Sequence, residues 1–146
     1  MIDLISFDEI FKIWSNDLWP SRSSKIESNS AMVYLGGYDI FNLNTKPSFF
    51  GYYKDDKLIA VGSGHQCTDN SYRIRGLYTF PEYRKQGIMY KIIEKLIEQA
   101  TIENCDYVWA YPRTSSVSIF LKAGFIVSSL WEETETGNNA YVMRKL

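Results

Sequence analysis

The spacing of hydrophobic positions changes several times along the chain, and each change marks an element. Ser6 followed by Glu9 has the spacing of a capping box, and Phe7, Ile10, Phe11 and Trp14 then recur at helical intervals. That helix ends before Pro20, and the polar, serine-rich run from Ser21 to Ser30 predicts a loop. Phe49 to Tyr53 and Leu58 to Gly64 are rich in β-forming residues and flank Lys54-Asp55-Asp56-Lys57, which predicts a hairpin. A turn from Thr68 to Ser71 leads into a third strand, Tyr72 to Thr79, which Pro81 stops. After Gly87 the period becomes helical again. Ile88, Ile92, Ile93, Leu96, Ile97 and Ala100 form one stripe, with Lys91, Glu94, Lys95 and Glu98 outside it. Tyr107 to Tyr111 then predicts a buried strand, Ser115 to Lys122 a short helix closed by Gly124, Phe125 to Trp131 a strand and Ala140 to Arg144 a last one. Antiparallel strands, a strand–helix–strand crossover and a final hairpin together predict an α/β fold, a sheet of mixed direction around one βαβ unit.

Composition narrows the class. The chain has 146 residues, 45% apolar and 23% charged, which predicts one folded domain spanning 1–146. A net charge of −1 provides no overall field to hold nucleic acid or an anionic membrane. Aromatic residues make up 16% of the chain, more than a core of this size needs, so some rings are expected to line a pocket. Cys67 and Cys105 lack ligand-like spacing and His65 is the only histidine, so no metal site is expected and the thiols are expected to stay reduced. Met1 to Ser6 has no basic segment leading into an apolar one, and no apolar run reaches membrane-spanning length; the chain is expected to be cytoplasmic.

The chemistry concentrates in Pro81-Glu82-Tyr83-Arg84-Lys85-Gln86-Gly87-Ile88-Met89-Tyr90. A glycine in a turn that feeds a helix start lets successive amides converge where the helix dipole favours an anion, and Arg84 and Lys85 add charge. Taken alone, the segment also fits an ordinary strand-to-helix connection. Arg84-Lys85-Gln86-Gly87-Ile88-Met89 resembles the Arg/Gln-x-x-Gly-x-Gly/Ala pyrophosphate loop of the GNAT acetyltransferase superfamily, except at its last position. Arg75 to Tyr83 resembles the strand and Pro-Glu-Tyr turn before that loop, and Ser118 to Phe125 the helix-to-strand segment ending in Gly-Phe.

The resemblance implies a GNAT fold, a mixed, mostly antiparallel sheet with a central βαβ unit that binds acetyl-CoA, and transfer of its acetyl group to the primary amine of a small molecule or peptide. Leu77, Tyr78 and Thr79 would pair with the pantetheine arm, and amides from Arg84 through Lys85, Gln86, Gly87 and Ile88 to Met89 would hold the pyrophosphate. Arg113, Ser116 and Phe120 also fall in the implied cofactor site. An amide near Leu77 would polarise the thioester carbonyl. Met89 stands where the family has Gly or Ala, so its side chain must point away from the phosphates or the loop must sit farther from them. Phe120 replaces the tyrosine that protonates the departing sulfur in many members, and Arg113 replaces a common asparagine. A non-catalytic acyl-CoA-binding or interaction domain of the same fold is the rival reading.

Several side chains could serve the reaction. His65 is the only group whose ordinary pKa suits proton removal near neutrality, although a lone strand-end histidine also fits a structural role. Tyr111 lies at the C-terminal end of a strand, where α/β sheets place ligands, and it, Ser115 or Ser116 could supply a proton. Trp14 reads as core, whereas Trp19 and Tyr38 read as pocket walls, with Tyr34 in the same region. Arg73 and Arg75 share one strand face, read as solvated and paired with acidic side chains, with anchoring of an acceptor carboxylate as the alternative. Glu132, Glu133 and Glu135 read as a solvated turn, with an acidic rim as the alternative. The sequence leaves the acceptor open and leaves room for a homodimer.

Overall fold

The computed structural model describes residues 1–28, 46–135 and 137–146. Tyr34, Tyr38 and the end of the serine-rich run lie outside the described residues. Ser6 caps α1 (Phe7–Ile13) with the reciprocal Glu9 contacts of a capping box. A π-helical turn, Trp14–Leu18, continues α1, with the Trp19 amide reaching back to the Trp14 carbonyl at 2.7 Å.

The main sheet has seven strands. In chain order these are β1 (Ile2–Leu4), β2 (Ser48–Lys54), β3 (Lys57–Gln66), β4 (Ser71–Thr79), β5 (Tyr107–Ala110), β6 (Ile126–Val127) and β9 (Val142–Lys145), and in space they run β1-β2-β3-β4-β5-β9-β6. Among the described strands only β4 and β5 are parallel, joined by the crossover helix α2 (Ile88–Ile102). Between β5 and β6 lies α3 (Val117–Lys122), and between β6 and β9 a separate two-stranded ribbon, β7 (Glu132–Thr134) and β8 (Gly137–Asn139).

Four features depart from the predicted elements. β1 carried no strand signal, being three residues whose Leu4 is exposed; its pairing with β2 puts it in the sheet. The strand predicted over Phe125 to Trp131 contracts to Ile126–Val127, because only Met143 and Val142 of β9 stand opposite it. The chain then leaves after a Ser128–Tyr141 backbone bond, with Leu130 exposed. Helix α3 starts two residues later than predicted, since Arg113 to Ser116 closes a turn first. The last strand starts at Val142 because Ala140 still bonds Pro112.

Each face of the sheet buries its own helix. On one, Ile88, Ile92, Ile93, Leu96 and Ala100 of α2 pack on Phe50, Tyr72, Ile74 and Val108, as the stripe predicted. On the other, Ile10, Ile13 and Trp14 pack on Phe49 and Val61.

A bulge in β4 links this packing to the site. Register with β3 runs from Ser63↔Arg75 to Val61↔Tyr78, so Gly76 and Leu77 together stand opposite Gly62. Gly76 has φ +67°, and a Cβ there would lie 2.2–2.4 Å from the Trp14 indole, whose Nε1 donates to the Gly76 carbonyl at 2.8 Å. Only glycine fits, for both reasons. Past the bulge β4 no longer follows β5, whose pairing with it ends at Arg73↔Trp109. Gly76→Ala should cost at least about 2 kcal/mol, combining left-handed strain with overpacking against Trp14. Urea unfolding checks this, and a loss within about 0.5 kcal/mol would mean the bulge is not fixed by that indole.

Candidate active site

Where β4 and β5 part, a cavity of about 690 Å³ opens. Gly76 and Leu77 form one edge, Tyr111, Arg113, Ser116 and Phe120 the edge beyond β5, and Trp19 and Arg22 lie on the α1 side. Glu132, Glu133 and Glu135 of the β7–β8 ribbon complete the wall. The sequence reading of these glutamates as a solvated turn is half right: they are exposed, and they face the cavity.

The two arginines of β4 are buried, not solvated, which corrects the favoured sequence reading. Arg75 lies against two neighbouring indoles, 4.8 Å from Trp14 and 5.2 Å from Trp19, and its Nη1 donates to the Glu27 carbonyl at 2.9 Å. Arg73 lies 4.9 Å over Trp109. Stacking on indoles lets a guanidinium leave water while keeping an electrostatic partner, and it accounts for part of the aromatic excess. Trp14 is core and Trp19 lines the cavity.

Tyr111 donates its hydroxyl to Glu132 Oε1, and its ring stacks on Tyr141 at 4.2 Å. Burial, with the hydrogen bond and charge of Glu132, raises its pKa above the ordinary tyrosine value, so the phenol stays neutral. His65 is not brought to this cavity. It is 1% exposed, with Nδ1 3.2 Å from the Gln66 carbonyl and 3.9 Å from Cys67 Sγ. Burial and then the Arg73 charge lower its pKa to about 3, with Gln66 opposing them. That places it poorly for the base role the sequence suggested: it is a weak base and lies off the wall.

The turn from Arg84 to Met89 lies beyond the cavity, joined to it by Leu77, Tyr78 and Thr79 at the end of β4. Arg84 Nε donates to the Thr79 carbonyl at 2.8 Å, and its guanidinium lies 5.3 Å over the Tyr78 ring. Lys85 and Gly87 both have positive φ, 62° and 77°, so the backbone doubles back before α2; Gln86 between them is exposed. Gly87 caps α2, no acidic residue occupies the first turn, and a Cβ at Gly87 would meet nothing within 4 Å. The positive end of a four-turn helix is therefore open. Ile88 is buried and Met89 is half-buried against the core, which takes up its bulk. Phe120 is also buried, edge-on to Phe125 at 5.2 Å, and brings no proton donor to the wall.

Among the described residues no group of His, Cys, Asp or Glu is placed to hold a metal ion, and no helix is long and apolar enough to cross a membrane. Asn139 is the site residue that sequence reasoning passed over, and for Glu132 it missed the partner. Glu132 meets a tyrosine 21 positions away, and the ribbon that presents it carries no hydrophobic alternation to betray a strand.

A profile of the Acetyltransferase (GNAT) family matches residues 10–125, and the chain belongs to this family. Comparison with curated proteins finds no significant sequence match. Among solved structures, Escherichia coli ElaA superposes with a TM-score of 0.71 at 14% identity, covering 99% of each chain. A ribosomal-protein-alanine N-acetyltransferase from Brucella melitensis gives 0.70 at 13% identity, over 100% of this chain and 99% of the other. A Bacillus subtilis acetyltransferase in complex with CoA gives 0.66 at 15% identity, over 99% and 97%. The mixed, mostly antiparallel sheet with one parallel crossover is the shared fold.

The neutral state of His65 has a consequence for stability. The folded pKa, about 3, lies below the unfolded value near 6.5, so the unfolded chain takes up the proton first and stability falls as pH drops through that window. His65→Gln should therefore show a shallower loss between pH 6 and 4, by up to about 1.4 kcal/mol per pH unit, in urea unfolding. Parallel curves for the two proteins would mean that His65 is not held neutral.

Proposed function

We propose that the protein is a one-domain N-acetyltransferase that moves an acetyl group from acetyl-CoA to a primary amine by direct attack. The observation that carries this reading is the parting of β4 from β5 after Arg73, just before the Gly76 bulge, because backbone and a neutral phenol then line one cavity. The pantetheine arm would run along Leu77, Tyr78 and Thr79 toward the amides of Arg84 to Met89, which suit a pyrophosphate. The CoA complex of the Bacillus subtilis relative supports an acyl-CoA co-substrate.

The chemistry would proceed at the bulge. The Leu77 amide polarises the thioester carbonyl and stabilises the tetrahedral oxyanion, an effect worth roughly 3–4 kcal/mol per donor in enzymes of this type. The incoming ammonium gives up a proton to the Tyr111 hydroxyl as Tyr111 passes its own to Glu132; the raised phenol pKa favours such a relay over a standing phenolate. A nitrogen–carbon bond forms, the nitrogen of the tetrahedral intermediate releases its second proton to solvent, the carbon–sulfur bond breaks, and CoA leaves as a thiolate. With an ordinary thiol pKa near 8.5 that group can depart without a strong acid, consistent with Phe120 at the wall.

Thiol release from acetyl-CoA over a panel of amines, amino acids and peptides tests the reading. Turnover is expected with at least one acceptor, and Tyr111→Phe should lower kcat/KM about a hundredfold while acetyl-CoA affinity holds. Binding of acetyl-CoA without turnover on any acceptor would instead support a non-catalytic acyl-CoA-binding domain. Gly87→Asp should abolish acetyl-CoA binding in calorimetry. The open space around its Cβ means that the loss cannot come from a clash, only from backbone strain and the carboxylate at the helix start. An unchanged dissociation constant would remove this turn from the account.

A further inference from the structure

Asn139 is a polar side chain 4% exposed at the end of β8, and it has contacts on three sides. Its Nδ2 donates to the Tyr111 carbonyl at 2.8 Å. Its Oδ1 accepts from Thr134 Oγ1 at 2.9 Å, across the ribbon. Its backbone stands opposite Glu132 in β7 and bridges to Arg113 on the other side, where Thr114–Asn138 and Ala140–Pro112 backbone bonds continue the pairing. One buried amide is thus bonded to the residue that carries the phenol and is paired with the residue that carries the carboxylate. The β7–β8 ribbon has no ladder to the main sheet, so its position relative to β5 depends on these few bonds. A buried amide in such a place stabilises one arrangement and penalises others, because any shift strands both its donor and its acceptor.

We propose that Asn139 is the positioning residue that sets Tyr111 against Glu132, an inference that rests on the proposed function of that pair. Its side-chain amide is engaged by Tyr111 and Thr134, and it acts by fixing the backbone of Tyr111 to the ribbon that presents Glu132. Burial raises the Tyr111 pKa most, the hydrogen bond and charge of Glu132 and then Tyr141 raise it further, and Arg73 pulls it down. Loosening the ribbon removes the Glu132 contribution while leaving Tyr141 and Arg73 in place.

Ring-13C tyrosine NMR reads this directly, with the Tyr111 signal identified by its loss in Tyr111→Phe. Asn139→Ala should move the Tyr111 midpoint down toward the ordinary value near 10, in the direction taken by Glu132→Gln. Thr134→Val, which keeps the side-chain volume and breaks the same chain of bonds, should give a smaller shift of that sign and guards against a misfolded alanine variant. Asn139→Ala should also lower kcat about tenfold with acetyl-CoA affinity unchanged, and by less than about twofold when added to Glu132→Gln, because the pair is then already broken. An unmoved Tyr111 titration in both folded variants, or kcat losses that multiply with Glu132→Gln, would overturn the positioning role. Absence of turnover in the unmutated protein would overturn the proposed function instead, and the Tyr111 titration would still decide the role of Asn139.

Discussion

The Trp14 indole fills the space that a side chain at position 76 would occupy, and much of the site follows from that contact. It requires a glycine there, and the glycine permits the bulge that sets two residues of β4 against one of β3. The bulge re-aims β4 beyond Arg75, and the sheet opens between its two parallel strands. A hydrogen bond from the indole nitrogen to Gly76 contributes on the order of 1 kcal/mol, and stacking of Arg75 on the same indole adds a similar amount. Because Arg75 also stacks on Trp19 and bonds Glu27, the same indole orders the chain that leaves α1 and forms one side of the cavity.

This arrangement has an electrostatic consequence for His65. Two guanidinium groups are buried on one face of β4, and His65 lies directly opposite Arg73 in β3. Burial makes a third positive charge costly there, and Arg73 makes it costlier, so the imidazole stays neutral. The only histidine in the chain is therefore held neutral by burial and the neighbouring arginines, and on the proposed reading proton chemistry falls to Tyr111 where it meets Glu132.

Much of the fold was legible because its signals are local. The Ser6–Glu9 box, the α2 stripe and the hairpin at Asp55-Asp56, whose two residues both adopt positive φ, are each set by neighbours within a few positions. The turn before α2 was legible for the same reason, and resemblance gave it an expected ligand. Short elements were less legible: β1 and the β7–β8 ribbon have strands of three residues that exist through pairing, which no local pattern encodes, and β6 was read as a strand longer than its two residues. Charge state was the least visible. Arg73 and Arg75 looked like a polar face because alternation alone cannot distinguish a solvated guanidinium from one stacked on tryptophans distant in sequence.

The same division runs through the site. Its cofactor side, on the proposed reading, is made of backbone: the bulge at Gly76 and Leu77, the end of β4, and the amides before α2. Backbone geometry depends on glycines and on register, so it leaves marks at fixed spacing in a sequence. The proposed acceptor side is made of side chains brought by separate segments, Trp19 and Arg22 from the chain after α1 and the glutamates from a ribbon outside the main sheet. Ser23 and Ser24 both donate to Glu135, so these two segments are also tied to each other. Substitutions there can alter the shape and charge of the acceptor wall without disturbing the bulge or the helix start. A chain can therefore keep a recognisable cofactor turn while its acceptor wall stays unreadable, as in this protein.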